Sequence, residues 1–138
     1  MTLVVDASVA VRWYVESPGT PAAIAILDSD EPLVAPDLMV AEVANVAWKL
    51  VRAGQISHIH GARIVAALPS AFSNLKSAAS LATRALEISS HLDHPVYDSI
   101  YIALAEFHHA QLITADDRLL RAVENTEWEP LVLRLADD

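Results

Sequence analysis

The sequence predicts an α/β fold, a three-layer α/β/α sandwich with a mostly parallel central sheet of about five strands. Short apolar runs such as Leu3-Val4-Val5 and Leu112-Ile113-Thr114 have the length and near-unbroken hydrophobicity of buried strands. Longer helical segments alternate with them. The connections are short and marked by Pro, Gly or Ser, with no linker, repeat or low-complexity tract, so residues 1–138 form one domain.

Strand 2–6 runs into a helix through Ala7-Ser8-Val9-Ala10-Val11-Arg12-Trp13-Tyr14, which Ser17-Pro18-Gly19 ends. Thr20 followed by Pro21 reads as an N-cap with proline at the first helical position, opening a helix to about Asp30. Pro32 and Pro36 bracket a short strand, Leu33-Val34-Ala35. Asp37 is placed to cap a helix that runs to Ala53 and stops at Gly54, a residue free to turn left-handed. A helix over 56–68 ends before Pro69, and the ambiguous segment 71–76 is read as a short strand. Ser77 or Ser80 caps a helix through Leu92, and His94-Pro95 separates it from a helix at 97–110. Strand 111–114, helix 117–125 and strand 131–135 complete the domain.

Hydrophobic residues make up 54% of the chain and aromatics only 6%, so the core is mostly Ala, Val, Leu and Ile. The absence of cysteine excludes disulfides, thiolate zinc sites and cysteine nucleophiles, and fits a reducing compartment. No signal-peptide pattern and no long uninterrupted apolar run is visible, so a cytoplasmic protein with no membrane association is expected. The net charge of −9 argues against indiscriminate nucleic-acid binding but leaves room for a local phosphate site. The histidines make a poor zinc site: His58 and His60 lie about 200° apart around their helix, and His108 and His109 also diverge.

Four acidic residues far apart in the chain are brought together by this topology. Asp6 ends the first strand, Asp116 follows the strand at 111–114, Glu42 lies early in the helix from 38, and Asp98 opens the helix from 97. Crossover helices run antiparallel to the strands they connect, so strand ends and the following helix starts share one edge, where such sheets bind ligands. Unit negative charges about 4 Å apart repel by ~4 kcal/mol at an effective dielectric of 20. A divalent cation relieves that repulsion, and oxygen ligands favour Mg²⁺ or Mn²⁺.

The segment 38–53 is apolar nearly all round, the mark of a buried helix, except for Glu42, Asn45, Lys49 and Arg52. Their spacing confines them to an arc of about 80° at about 100° per residue. One narrow polar stripe therefore starts at a carboxylate on the acidic edge. It is either a solvated face or the wall of a site, with Lys49 and Arg52 as its phosphate contacts.

Four segments then resemble the PIN domain, and within it the VapC-type toxin ribonucleases of toxin–antitoxin pairs. Val4-Val5-Asp6-Ala7-Ser8 is similar to the family's opening strand with its Asp-x-Ser/Thr signature. Pro36-Asp37-Leu38-Met39-Val40-Ala41-Glu42 resembles the Pro-x-Leu-x-x-x-Glu element. Tyr97-Asp98-Ser99-Ile100-Tyr101-Ile102-Ala103-Leu104-Ala105 resembles the third motif, and Leu112-Ile113-Thr114-Ala115-Asp116-Asp117-Arg118-Leu119-Leu120 the closing Thr-x-Asp element. Each is weak alone; their order over residues 4–120 is specific.

The resemblance implies a Mg²⁺- or Mn²⁺-dependent endoribonuclease, a homodimer silenced by a cognate VapB-type antitoxin. By it, Asp6 and Asp98 are direct metal ligands, Glu42 binds metal or orients the attacking water, and Asp116 completes the site. Ser8, Asn45 and Thr114 would fix carboxylate orientation, and Asp117 either joins them or merely favours a helix start. A catalytically silent PIN-type interaction module is the principal alternative. A phosphatase with Asp-x-Asp after the first strand fits poorly, because Ser8 holds the second position, and a receiver domain lacks its acidic pair there.

Overall fold

Parallel pairing places the first strand at the middle of the sheet. In the computed structural model, which describes residues 1–137, β1 (Leu3–Val5) pairs with β2 (Leu33–Pro36) on one side and β4 (Gln111–Thr114) on the other. β3 (Asn74–Lys76) adds outside β2 and β5 (Val132–Arg134) outside β4, giving the all-parallel order β3-β2-β1-β4-β5. The chain moves outward from β1 to β3, then returns to build β4 and β5 on the opposite side. The direction of winding thus reverses between β1 and β4, and the crevice beyond their carboxyl ends is where such sheets bind ligands.

Right-handed crossovers put helices made on the outward path and the return path on opposite faces. The outward helices are α1 (Ala7–Val11), α2 (Thr20–Leu27), α3 (Leu38–Arg52) and α4 (His58–Ala67). The return helices are α5 (Ala78–Leu92), α6 (Val96–His108) and α7 (Asp117–Val123). α6 lies across β1, β2 and β4, and every residue from Ser99 to Ala105 is buried. Together with Val4, Val5, Ala35 and Leu112, its Ile102 and Leu104 make the centre of the core.

Several local expectations need correction. α3 buries only Met39, Val43 and Ala47, and its Trp48 is 54% exposed. It is therefore a half-buried helix, and α6 is the one enclosed all round through its middle, Ser99 to Ala105. Helix α2 is capped by Gly19, whose φ of 91° takes the left-handed turn; Thr20 is already helical, and its hydroxyl accepts from Ser17 N instead. Asp37 does not cap α3. Its Oδ1 accepts from the N–H of Ala78 at 2.9 Å and so caps α5, which starts beside it because β2 and β3 are neighbours. α1, α2 and α7 end earlier than expected, at Val11, Leu27 and Val123. α4 starts at His58, capped by Ser57, and a 3-10 turn at Leu68–Ala71 precedes the short strand β3. Gly54 has the left-handed conformation expected after α3.

Candidate active site

The edge where β1 and β4 end is acidic because each strand hands over directly to a helix. Asp6 leaves β1 as the N-cap of α1, accepting from Val9 N at 3.3 Å through Oδ1. Asp116 leaves β4 in the same way as the N-cap of α7, its Oδ1 accepting from Arg118 N at 2.9 Å. Glu42 comes from the second turn of α3 and Asp98 from the first turn of α6. With Ala7, Ser8 and Tyr101, these four carboxylates line one pocket of about 120 Å³.

Asp6 is the most firmly held. Ser8 Oγ donates to its Oδ1 at 2.5 Å and Thr114 Oγ1 donates to its Oδ2, joining the ends of β1 and β4. Both hydroxyls are fixed in turn, Ser8 Oγ accepting from Ala115 N at 2.9 Å and Thr114 Oγ1 from Asp116 N at 3.0 Å. Only 5% of Asp6 is exposed. Burial pushes its carboxyl up to about 6, with the Asp98 charge adding to the effect, against the opposing hydrogen bonds from Ser8, Thr114 and Val9. Burial and the charges of Asp98 and Asp6 likewise raise Glu42, against the opposing bond from Tyr101.

Two partners were not legible as site residues. The phenol of Tyr101 donates to Glu42 Oε1 at 2.6 Å, and burial, then the Glu42 charge, holds that phenol well above its usual range. His94 Nε2 contacts Asp98 Oδ2 at 2.6 Å. Tyr101 follows Asp98 by three residues on α6, so those two share a helix face, whereas His94 lies in the corner before the helix and carries no such spacing signal. Tyr101 is otherwise core, 1% exposed, and its hydroxyl reaches the pocket.

Other expected residues lie elsewhere. Asn45 is exposed and makes no hydrogen bond to a site carboxylate among the described residues. Asp117 points out of the pocket and pairs with the exposed Arg134, which draws its carboxyl below the usual range. The difference from Asp116 is one of helix geometry: the cap residue faces back over the strand end, whereas the first helical residue faces β5. Lys49 and Arg52 are exposed, with the Arg52 guanidinium 5.4 Å from the Trp48 ring centre.

The donor set suits a hard cation. Glu42, Asp98 and Asp116 each have one oxygen engaged by a protein donor and a second with no protein donor among the described residues. Among the described residues no group of three or more His, Asp or Glu side chains is close enough to hold a metal ion without help from water. Mg²⁺ does not require one, because it keeps several waters and binds through one or two carboxylates.

A second feature is apolar. The outer sides of α3 and α4 enclose a groove of about 200 Å³ lined by Ala47, Trp48, Val51, Gly61, Ala62 and Val65. Gly61 permits this close approach: a Cβ there would sit 3.1 Å from Val51 Cγ2. No helix among the described residues is long and apolar enough to cross a membrane.

Comparison with known proteins agrees with the geometry. The PIN domain family model matches residues 3–125. Ribonuclease VapC3 of Pyrobaculum aerophilum is 33% identical over 121 residues, covering 86% of this chain and 92% of the relative. The crystal structure of PAE2754 from the same organism superposes with a TM-score of 0.68 at 21% identity, over 91% of this chain and 82% of that one. A toxin–antitoxin complex from Klebsiella pneumoniae gives a TM-score of 0.66 at 15% identity, over 99% of both chains. At these identities the two structures speak for the fold alone.

Proposed function

This chain belongs to the PIN domain family, and from that premise we propose that it is an endoribonuclease, the toxin of a toxin–antitoxin pair, cutting RNA with Mg²⁺ or Mn²⁺ at its acidic pocket. The observation that carries this reading is the convergence of Asp6, Glu42, Asp98 and Asp116 on one pocket at the winding reversal of the sheet. Four carboxylates there, one of them almost wholly buried, are poorly explained without a cation to balance them.

Asp6 and Asp98 would hold the cation, with Asp116 and Glu42 completing the set directly or through water. When bound, such an ion supplies a water of lowered pKa and charge stabilisation for the leaving oxygen. The chain supplies the rest. Ser8 and Thr114 fix both oxygens of Asp6, so its position does not depend on the ion. Glu42, raised in pKa and held at Oε1 by Tyr101, presents Oε2 to orient the attacking water and take its proton. Lys49 and Arg52, farther along the exposed stripe of α3, would hold the phosphates of the RNA.

The apolar α3–α4 groove supports the reading of a bound partner. An antitoxin segment laid along it would carry an arginine toward the carboxylates, competing with the cation through a charge-assisted pairing. A homodimer would cover further apolar surface.

Incubating purified protein with total RNA, with Mn²⁺ or with EDTA, tests the activity. Cleavage that needs metal and vanishes in Asp98→Asn is expected. Cleavage surviving both EDTA and this substitution would reject the mechanism, and no cleavage under any condition would favour a silent interaction module.

A further inference from the structure

His94 is singled out by what holds it and what it touches. It sits in the corner between α5 and α6, with Asp93 left-handed at φ 52° on one side and Pro95 on the other. Its backbone N–H donates to Ser89 O at 3.3 Å, and only 9% of its side chain is exposed. The imidazole reaches forward four residues, across the start of α6, to Asp98 Oδ2 at 2.6 Å. A carboxylate only accepts, so Nε2 carries the proton and donates it.

The ordinary reading of such a contact is a staple that fastens the corner to the helix. That task is already done by other groups. Ser89 Oγ donates to the fully buried Ser99 Oγ at 2.7 Å, tying α5 to α6 one residue from Asp98, and Ser89 O holds the corner backbone. What remains unfixed without the imidazole is the Asp98 side chain, which is 27% exposed and free to rotate into solvent.

We propose that His94 is a positioning residue for Asp98. By occupying Oδ2 it selects the rotamer that leaves Oδ1 to the pocket, and it sets the affinity of the site for a divalent cation. This rests on the metal-dependent reading of the pocket. Groups that hydrogen-bond a ligating carboxylate typically change metal affinity by about 10–100-fold when removed, and Asp98 has no other side-chain donor among the described residues.

The test is Mn²⁺ binding, followed by the electron paramagnetic resonance of free Mn²⁺, on full-length wild type, His94→Ala, His94→Gln and Asp98→Asn. His94→Ala should bind Mn²⁺ about 10–100-fold more weakly, while its melting temperature in EDTA stays near wild type. His94→Gln, whose amide can still donate, should recover much of the affinity. Raising Mn²⁺ should restore RNA cleavage to His94→Ala but not to Asp98→Asn. Wild-type affinity in His94→Ala would overturn the proposal and leave the nuclease reading intact. So would a melting temperature in EDTA depressed equally in both His94 variants, which marks a structural staple. Wild-type protein that binds no Mn²⁺ would overturn both.

Discussion

The phenol of Tyr101 on α6 donates to Glu42 Oε1 on α3 at 2.6 Å, so helices from opposite faces of the sheet meet at its carboxyl edge. Tyr101 is 1% exposed, and nothing else among the described residues hydrogen-bonds the Glu42 side chain. Tyr101→Phe removes the donor without changing the packing. Hydrogen bonds to charged groups contribute about 1.5–3 kcal/mol, so urea unfolding in EDTA should show a loss of that order. Cleavage should fall with little change in RNA affinity, because Glu42 loses its fixed orientation. Unchanged melts and rates would make the contact incidental.

Asp6 gives the pH dependence. Its carboxyl titrates at about 6 in the folded protein against an ordinary 3.8. The folded state therefore holds this proton more tightly than the unfolded state does. The ionised group costs stability above about pH 6 and none below about 3.8. With metal removed, acidifying from pH 7 to 5 should stabilise the protein through this residue, by on the order of 3 kcal/mol over its full titration. Asp6→Asn should remove that dependence, be more stable than wild type in EDTA at neutral pH, and cut no RNA. A melt of Asp6→Asn in EDTA with the same pH slope as wild type would show that another group is responsible.

Asp116 and Asp117 separate two roles that adjacent acids can have. Asp116 lines the pocket and caps α7, whereas Asp117 is exposed against Arg134. Asp116→Asn retains a capping side chain and removes the charge, so it should keep the fold and lose cleavage. Asp116→Ala should also lose about 1 kcal/mol of stability with the cap. Asp117→Ala should cut RNA as wild type does. Equal damage from Asp116→Asn and Asp117→Ala would restore the second carboxylate to the site.

How much of this was readable beforehand follows from what each signal depends on. Asp6, Glu42, Asp98 and Asp116 were located by topology alone, because a residue at a strand end or helix start has its edge fixed by chain direction. The roles of Ser8 and Thr114 came instead from the family resemblance, and both hydroxyls do hold Asp6. Asp117 and Asn45 were not resolved, since one residue of helix rotates a side chain by about 100° and sequence does not set that phase. Asp37 misled because its chemistry as a cap was correct but its helix was not: it caps α5, 41 residues onward, through the β2–β3 pairing. Composition made α3 look buried because apolar content does not tell a core face from a face left open.

The polar stripe on α3 leads away from the acidic pocket. Lys49 and Arg52 follow Glu42 by seven and ten residues, so they sit about 10 and 15 Å along the helix axis from it, at about 1.5 Å per residue. RNA entering the acidic pocket along α3 would pass both. Lys49→Ala and Arg52→Ala should each weaken RNA binding and lower the slope of log affinity against log salt by up to about 0.7 per lost contact with single strands. Mn²⁺ affinity should stay put. A salt slope identical to wild type would identify the stripe as a solvated face.

The open side of α3 concerns the partner. A mean hydropathy of +0.33 in a chain of this size leaves apolar surface beyond one core, and the groove with Trp48 on its wall is where part of it lies. Exposed apolar patches of this kind mark interfaces, and a half-buried tryptophan is a frequent anchor. Trp48→Ala should weaken binding of a cognate antitoxin by roughly 30-fold or more, the equivalent of 2 kcal/mol at an interface anchor. Ala62→Glu, which puts a charge into the groove, should do the same. Neither change touches the acidic pocket, so RNA cleavage by each variant should persist and escape inhibition. Light scattering of the isolated protein in the same experiments tests whether two copies associate. A monomer whose cleavage is indifferent to that antitoxin would defeat the toxin reading while sparing the nuclease. Inhibition of Trp48→Ala at the wild-type concentration of antitoxin would move the partner to another face.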